Sequence, residues 1–142
     1  MKRSATAVWT GSLKEGSGTL SAPGGALKST PYSFGSRFAS GAGTNPEELI
    51  AAAHASCYAM ALSGGFAKAG GTPESLVVEV EVRLGPDPAG GFRIPDIAIR
   101  VRGKVAGLDE AGFVEAANVA KLNCPVSKAL TGTTITLDAA LG

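Results

Sequence analysis

Two cysteines are the residues of this chain whose chemistry most needs an explanation. Cys57 ends the alanine-rich stretch HASC, and Cys124 lies in the segment NCPVS. A thiol in an apolar helix is expected to have a raised pKa, whereas only the thiolate is a good nucleophile. A reactive Cys57 therefore needs a nearby positive charge. The alternative is that Cys57 is a small core residue, a common place for free cysteine.

Cys124 precedes Pro125, a residue that favours the first position of a helix. Cys124 would then be the N-cap, where the positive end of the helix dipole stabilises a thiolate. The sequence shows no export signal, and a purely structural disulfide is uncommon in such a chain. We interpret Cys124 as the better-placed leaving or resolving sulfur; the alternative is a helix-end residue packed inward.

Arg37 is the candidate for the positive charge, because it lies between Phe34 and Phe38 whereas most other basic residues fall on polar faces or turns. The alternative is a surface arginine with a packed stem. Glu47 could hold the guanidinium by a two-pronged pair, or simply serve the helix dipole. Ten helical residues span about 15 Å along the axis. If Glu47 and Cys57 serve one site, we expect them to come from different subunits.

His54, the only histidine, precedes Cys57 by three residues. With Cys124 these residues would form a Cys-Cys-His set similar to some catalytic zinc sites. The sequence has no C-x-x-C, no second histidine and no H-E-x-x-H. A lone helix histidine is more often structural, so we predict no metal and keep zinc as an alternative.

The first elements that must position these residues are a hairpin and a long helix. Residues 4–10 and 19–22 flank a Gly-rich connection and predict the hairpin, and Pro31 argues against a central strand in the next segment. Asn45-Pro46-Glu47-Glu48 predicts a helix start. Residues 49–69 are apolar or small on all sides, which predicts a helix buried in the middle of the molecule.

The second half of the chain alternates strands with a further helix. Residues 75–84 and 97–105 alternate apolar and charged positions and predict an antiparallel hairpin with acidic and basic outer faces in register. Asp109 caps a helix to about Asn123, and residues 133–141 predict a closing strand. The order predicts one α+β domain over residues 1–142.

The composition excludes several classes of protein. The 142 residues, of 14.1 kDa, suit one domain. Thirteen basic residues nearly balance twelve acidic ones without a basic run, so we predict no nucleic-acid partner. The start has no apolar signal-peptide region and we expect no window near the ~18 apolar residues of a membrane span. These features predict a soluble, cytoplasmic protein with no membrane partner.

Three motifs together resemble the OsmC/Ohr family of thiol peroxidases: TNPEEL at 44–49, AAHASC at 52–57 and NCPVS at 123–127. The resemblance runs from about Trp9 to Leu137. It implies an OsmC-like α+β fold, with antiparallel sheets around a long buried central helix, in an intertwined homodimer.

The resemblance also implies roles for individual residues. The peroxidatic cysteine of the family falls on Cys57, its resolving cysteine on Cys124 and its glutamate on Glu47. Residues 9–16 lack the arginine that Ohr-type proteins carry in the first hairpin, and PYSFGSRF resembles the OsmC pattern. That pattern assigns the arginine role to Arg37 and the chain to the OsmC type.

The implied activity is a peroxiredoxin-like reduction of organic hydroperoxides, with hydrogen peroxide as a further substrate. Cys57 would become a sulfenic acid and condense with Cys124 to a disulfide. A dithiol such as reduced lipoamide would restore the thiols, and no bound cofactor is expected. The alternative is a noncatalytic, stress-induced binding protein of the same fold.

Apolar side chains near the predicted arginine suggest a preference among peroxides. Tyr32, Phe34, Phe38 and Met60 could form an entrance that favours organic hydroperoxides over hydrogen peroxide. The alternative is that all four belong to the ordinary core.

Overall fold

The computed structural model describes all residues, 1–142, and contains both helices and strands. In chain order the elements are β1 (Thr6–Thr10), β2 (Ser17–Ser21), β3 (Thr30–Ser33), α1 (Phe34–Phe38), α2 (Pro46–Lys68), β4 (Thr72–Val82), β5 (Gly85–Pro86), β6 (Phe92–Arg93), β7 (Asp96–Ala106), α3 (Glu110–Asn123), α4 (Pro125–Ala129) and β8 (Thr134–Leu141). The predicted α+β content is confirmed.

The chain divides into two compact units, Met1–Leu49 and Ile50–Gly142. The first unit contains an antiparallel sheet in the order β1-β2-β3. The predicted hairpin is confirmed, and Pro31 lies in the edge strand β3, where its missing N–H costs no ladder hydrogen bond. That the two units belong to one domain stays a prediction.

The second unit contains a sheet in the order β4-β7-β8. The predicted antiparallel hairpin is confirmed by β4 and β7, in which Glu79 lies opposite Arg100 at 3.4 Å between carboxylate and guanidinium. Strand β8 pairs parallel to β7, whereas the other strand pairs are antiparallel as predicted. Parallel neighbours need a crossover connection, and α3 and α4 supply it here.

The long helix α2 is buried along one stripe of its surface. Its buried side chains recur at every fourth position and are His54, Tyr58, Leu62 and Phe66. By contrast, Met60 is 78% exposed. The expected burial on all sides is therefore absent from the single chain, and an apolar face of α2 stays exposed.

One expectation about hydropathy was wrong. Helix α2 contains an 18-residue window with a mean hydropathy of 1.3, long and apolar enough to cross a membrane by length and composition. Core helices of soluble proteins share this property, so it does not by itself assign the protein to a membrane.

The core of the second unit lies between α2, α3 and the sheet. Asp109 caps α3 as predicted, because its carboxylate accepts the N–H of Gly112 at 2.8 Å. The helix then presents Phe113 to Phe66 of α2, with 4.9 Å between the ring centroids. Ile99 and Val101 of β7 belong to the same cluster. This packing holds the C-terminal part of α2 against the first turn of α3.

We expect Phe113→Ala to lower the free energy of unfolding by about 3–5 kcal/mol, because a fully buried ring leaves a cavity in a close-packed core. Urea denaturation measures the change. Val77→Ala in β4 is the control, since Val77 is 60% exposed, and should cost less than about 1 kcal/mol. Equal losses for the two variants would contradict the assigned core.

Candidate functional site

The two cysteines meet although they are distant in sequence. Cys57 lies in the middle of α2 and Cys124 at the junction of α3 and α4, and both are free thiols. Cys124 is fully buried, Cys57 is half-buried, and the Cys57 thiol donates a hydrogen bond to the Cys124 sulfur. The pair is placed where two thiols can exchange a proton or form a bond.

Pro125 explains why Cys124 is presented in this way. The residue before a proline is disfavoured in the helical conformation, and Cys124 has φ −59° and ψ 122°. Helix α3 therefore ends at Asn123, and α4 begins with Pro125 at its first turn. The predicted N-cap position of Cys124 is confirmed, and its sulfur lies beside the N–H groups of Val126 and Ser127 without a regular side-chain cap.

The surroundings of the two sulfurs shift their pKa values in opposite directions. Burial raises the pKa of Cys57, the N–H of Val126 opposes this, and the hydrogen bond to Cys124 raises it further. Burial also acts to raise the pKa of Cys124, but the N–H of Ser127, the Cys57 thiol and the Ser127 hydroxyl outweigh it and lower the pKa. Within one chain the thiolate is therefore favoured on Cys124.

Arg37 and Glu47 form the two-pronged ion pair expected from the sequence. Nη2 of Arg37 lies 2.7 Å from Oε1 of Glu47, and Nε donates to Oε2 at 3.2 Å. The guanidinium side chain is 37% exposed and the carboxylate side chain only 12%. Planar forks of this kind fix both position and orientation. The guanidinium is thus held in one direction before any ligand arrives, while its predicted role stays a prediction.

Capping interactions hold the two helices that carry this ion pair. Ser33 and Ser36 form a capping box at the start of α1. The Ser36 hydroxyl donates to the carbonyl of Thr44 at 2.7 Å, and the Asn45 side chain donates to the carbonyl of Ser36 at 3.2 Å. Asn45 also accepts the N–H of Glu48 at 2.8 Å. These bonds fasten α1, which carries Arg37, to the first turn of α2.

An open cavity of about 330 Å³ lies beside Arg37 in the first unit. Three of the predicted entrance residues line it, namely Tyr32, Phe34 and Phe38. The Arg37 guanidinium carbon lies 5.3 Å from the Phe38 ring centroid, within range of a cation–π contact. Met60 does not line this cavity, and its predicted role stays a prediction.

The residues of the cavity wall that sequence reasoning missed include Trp9 and Leu13. The centroids of the Trp9 and Tyr32 rings are 5.3 Å apart. Gly18 makes this possible, because a Cβ there would collide with the Tyr32 ring. The feature that could have revealed this wall is the strand register, in which Gly18 pairs with both Trp9 and Tyr32.

His54 does not join the sulfurs in a metal-binding arrangement. Its Nε2 lies 2.7 Å from the Ser127 hydroxyl, and its Nδ1 is buried without a hydrogen-bond partner. No group of three or more His, Cys, Asp or Glu side chains could hold a metal ion.

Comparison with known proteins assigns the chain to a family. Residues 39–138 match the family model described as OsmC-like protein. The chain belongs to the OsmC family. This OsmC-family protein is 46% identical over 132 residues to Peroxiredoxin OsmC of Escherichia coli, covering 93% of the chain and 91% of that relative. The resemblance seen in the sequence is confirmed.

Two further relatives carry names from the Ohr branch. The organic hydroperoxide resistance protein of Xanthomonas axonopodis pv. citri is 35% identical over 105 residues, or 73% of this chain and 70% of that protein. The crystal structure of OhrB of Bacillus subtilis superposes with a TM-score of 0.75 at 27% identity, covering 96% of this chain and 97% of that one. The expected OsmC/Ohr-like α+β fold with antiparallel sheets is confirmed.

Because the two sulfurs are hydrogen-bonded, we expect removal of either cysteine to shift the pKa of the other, in opposite directions for the two variants. Cys124→Ala should lower the pKa of Cys57, because the neighbouring sulfur no longer accepts its proton or repels its charge. Cys57→Ala should raise the pKa of Cys124, because one donor to the thiolate is lost. The ultraviolet absorbance of each remaining thiolate, titrated against pH, measures both values. Shifts in the reverse directions would contradict the assigned hydrogen bond.

Proposed function

We propose that this OsmC-family protein is a thiol-dependent peroxidase that reduces organic hydroperoxides, with hydrogen peroxide as a further substrate. The observation that carries the proposal is the hydrogen-bonded pair of free thiols, Cys57 and Cys124. The names of the two curated relatives, a peroxiredoxin and an organic hydroperoxide resistance protein, support the same activity.

The first step is attack by the Cys57 thiolate on the peroxide. Transfer of the Cys57 proton to Cys124 along their hydrogen bond creates this thiolate. Sulfur bonds to one peroxide oxygen, the O–O bond breaks, and the other oxygen leaves as an alkoxide that takes up the proton from Cys124, which becomes a thiolate again. Cys57 is then a sulfenic acid and the peroxide has become an alcohol.

Arg37 assists this step by stabilising negative charge. A guanidinium fixed by Glu47 favours the Cys57 thiolate over the thiol, and it also stabilises the oxygen that leaves. Glu47 and Cys57 are ten residues apart on α2, about 15 Å along a helix axis. We therefore propose that Arg37 and Glu47 of one subunit serve the cysteines of the other.

The second step closes the disulfide. The Cys124 thiolate attacks the Cys57 sulfenic acid, an S–S bond forms, the S–O bond breaks, and the oxygen leaves as water after protonation. The disulfide protects Cys57 from irreversible oxidation. An external dithiol such as reduced lipoamide returns both residues to thiols, so the reaction needs no bound cofactor. A cytoplasmic location, where such thiols stay reduced, suits this cycle.

The cavity beside Arg37 supports the preference for organic substrates. Its wall includes the aromatic rings of Trp9, Tyr32, Phe34 and Phe38. Apolar surface of this kind binds an alkyl or aryl group by removing it from water, which hydrogen peroxide cannot exploit. The preference should appear as a lower KM for cumene hydroperoxide than for hydrogen peroxide.

A homodimer would cover the exposed apolar face of α2. Met60 is exposed on that helix, and Val119 and Leu122 are exposed on α3. Solvent exposure of large apolar side chains is unfavourable, so a second copy of the chain is the proposed cover. This arrangement would also make α2 the central helix of the assembly.

Replacement of each cysteine should stop the cycle at a different step. Cys57→Ser should abolish peroxide consumption, because the remaining thiol, Cys124, is fully buried and closed to the peroxide. Cys124→Ser should allow one turnover and then over-oxidation of Cys57, seen as added oxygen in the intact mass. Ser75→Ala removes an exposed hydroxyl in β4, is the control and should keep wild-type turnover. Unchanged turnover in Cys57→Ser would refute the proposed nucleophile. Inactive wild-type protein would favour the noncatalytic binding hypothesis.

Removal of the guanidinium should impair the chemical step. We expect Arg37→Met to lower kcat/KM for cumene hydroperoxide about 100-fold, the usual loss when one fixed donor to a developing oxyanion is removed. Stopped-flow kinetics with the reduced protein measures the rate of the oxidation step. Arg93→Met removes an exposed arginine in β6 and is the control, expected to have no effect. Equal rates for the two variants would remove Arg37 from the proposed site.

A further inference from the structure

His54 is a buried polar side chain to which the proposed peroxidase mechanism gives no task. It is fully buried on the inner stripe of α2, and its only hydrogen-bond partner is the Ser127 hydroxyl, 2.7 Å from Nε2. Burial of an unpaired ring nitrogen, as at Nδ1, costs free energy. An apolar residue would fill this space without that cost. The polar contact of His54 therefore needs a functional explanation.

Ser127 connects His54 to the cysteine pair. It lies in the first turn of α4, three residues after Cys124, and is itself buried. Its hydroxyl lies close to both the His54 ring and the Cys124 sulfur. A serine hydroxyl has one proton to donate. If that proton points to Cys124, the serine oxygen must accept from Nε2–H of His54.

We propose that His54, Ser127 and Cys124 form a hydrogen-bond relay. In this relay Nε2–H of His54 donates to the Ser127 oxygen, and the Ser127 hydroxyl donates to the Cys124 thiolate. His54 and Ser127 are then positioning residues for the resolving cysteine. The role of Cys124 in resolution rests on the proposed peroxidase function, whereas the relay itself does not.

The electrostatics of the relay favour a neutral histidine. Burial lowers the pKa of His54, so the ring acts as a fixed dipole rather than as a cation. The Ser127 hydroxyl acts to lower the pKa of Cys124. The other titratable groups facing Cys124 are Cys57 and Tyr58. Burial raises the pKa of Tyr58, whose hydroxyl donates to the Ala117 carbonyl at 2.9 Å, so Tyr58 stays neutral.

The relay affects the proposed resolving step. Cys124 must attack the sulfenic acid of Cys57 as a thiolate, forming the S–S bond while the S–O bond breaks and hydroxide leaves, which takes up a proton from a buffer acid and becomes water. A thiolate that is already present near neutral pH attacks without a prior proton loss. The relay thus maintains the thiolate fraction of a sulfur that burial alone would keep protonated.

The first test measures the pKa of Cys124 without any peroxide. In a Cys57→Ala background Cys124 is the only thiol, and its ultraviolet absorbance can be titrated against pH. Adding Ser127→Ala or His54→Leu should raise the pKa of Cys124 by about one pH unit, as expected for a lost hydrogen bond to a charged group. Ser127→Thr and His54→Gln retain the donors and should restore most of the lower value. Ser56→Ala is the control.

The second test uses the unaltered protein, so it does not depend on how the variants fold. Because the chain has one histidine, the nitrogen NMR signals of its ring need no further assignment. In the reduced protein at neutral pH we expect a neutral ring with the proton on Nε2. A proton on Nδ1, or an unchanged Cys124 pKa in folded Ser127→Ala, would overturn the relay.

The two proposals fail in distinguishable ways. If the pKa of Cys124 shifts as expected but the protein consumes no peroxide, the relay stands and the peroxidase proposal falls. If peroxide is consumed but Ser127→Ala leaves the pKa of Cys124 and the rate of disulfide formation unchanged, the relay falls and the peroxidase proposal stands.

Discussion

Desolvation disfavours a thiolate, and a thiol placed inside a protein ionises only where nearby groups compensate for the lost water. Cys57 and Cys124 are both subject to this constraint, because they lie in the same apolar cluster. The start of α4 supplies the compensation. Pro125 ends one helix and begins another there, and this brings the N–H groups of Val126 and Ser127 to the sulfurs. A continuous helix would have used those N–H groups in its own hydrogen bonds.

The compensation is unequal, and this inequality is the basis for the different tasks that we propose for the two sulfurs. Cys124 accepts most of the hydrogen bonds and is the more readily ionised sulfur within one chain. Cys57 donates a hydrogen bond to Cys124 and is the less readily ionised of the two. Attack by Cys57 then requires an additional positive charge. The Arg37–Glu47 ion pair is the source that we propose, since it is held by capping interactions on both sides and lines an apolar cavity. In the proposed homodimer, a second subunit would bring that charge to the exposed face of α2.

Local signals in the sequence predicted much of this molecule. Asn45, Asp109 and Pro125 mark helix boundaries because caps and prolines act within a few residues, and strict alternation identified β4 and β7. Long-range geometry was harder to predict from the sequence. The direction of β8 depends on the crossover through α3 and α4, and the cavity contribution of Trp9 depends on strand register. The apolar composition of α2 indicated burial, but it could not distinguish burial within one chain from an exposed apolar face.

The difference in pKa between the two sulfurs could not be predicted from the sequence either. Motifs placed Cys57 and Cys124 in their helices, yet the order of their pKa values follows from which N–H and O–H groups point at each sulfur. His54 is a similar case, because its partner Ser127 is 73 residues away. A zinc hypothesis was reasonable from residue types alone; the orientation of the imidazole toward a hydroxyl gives the histidine a different partner.

The most direct test of the account is to treat the reduced protein with one equivalent of cumene hydroperoxide and measure its intact mass and its peptide map. The account predicts a loss of two hydrogens and a peptide pair joined through Cys57 and Cys124, with cumyl alcohol formed in equal amount. An unchanged mass with intact hydroperoxide would contradict it.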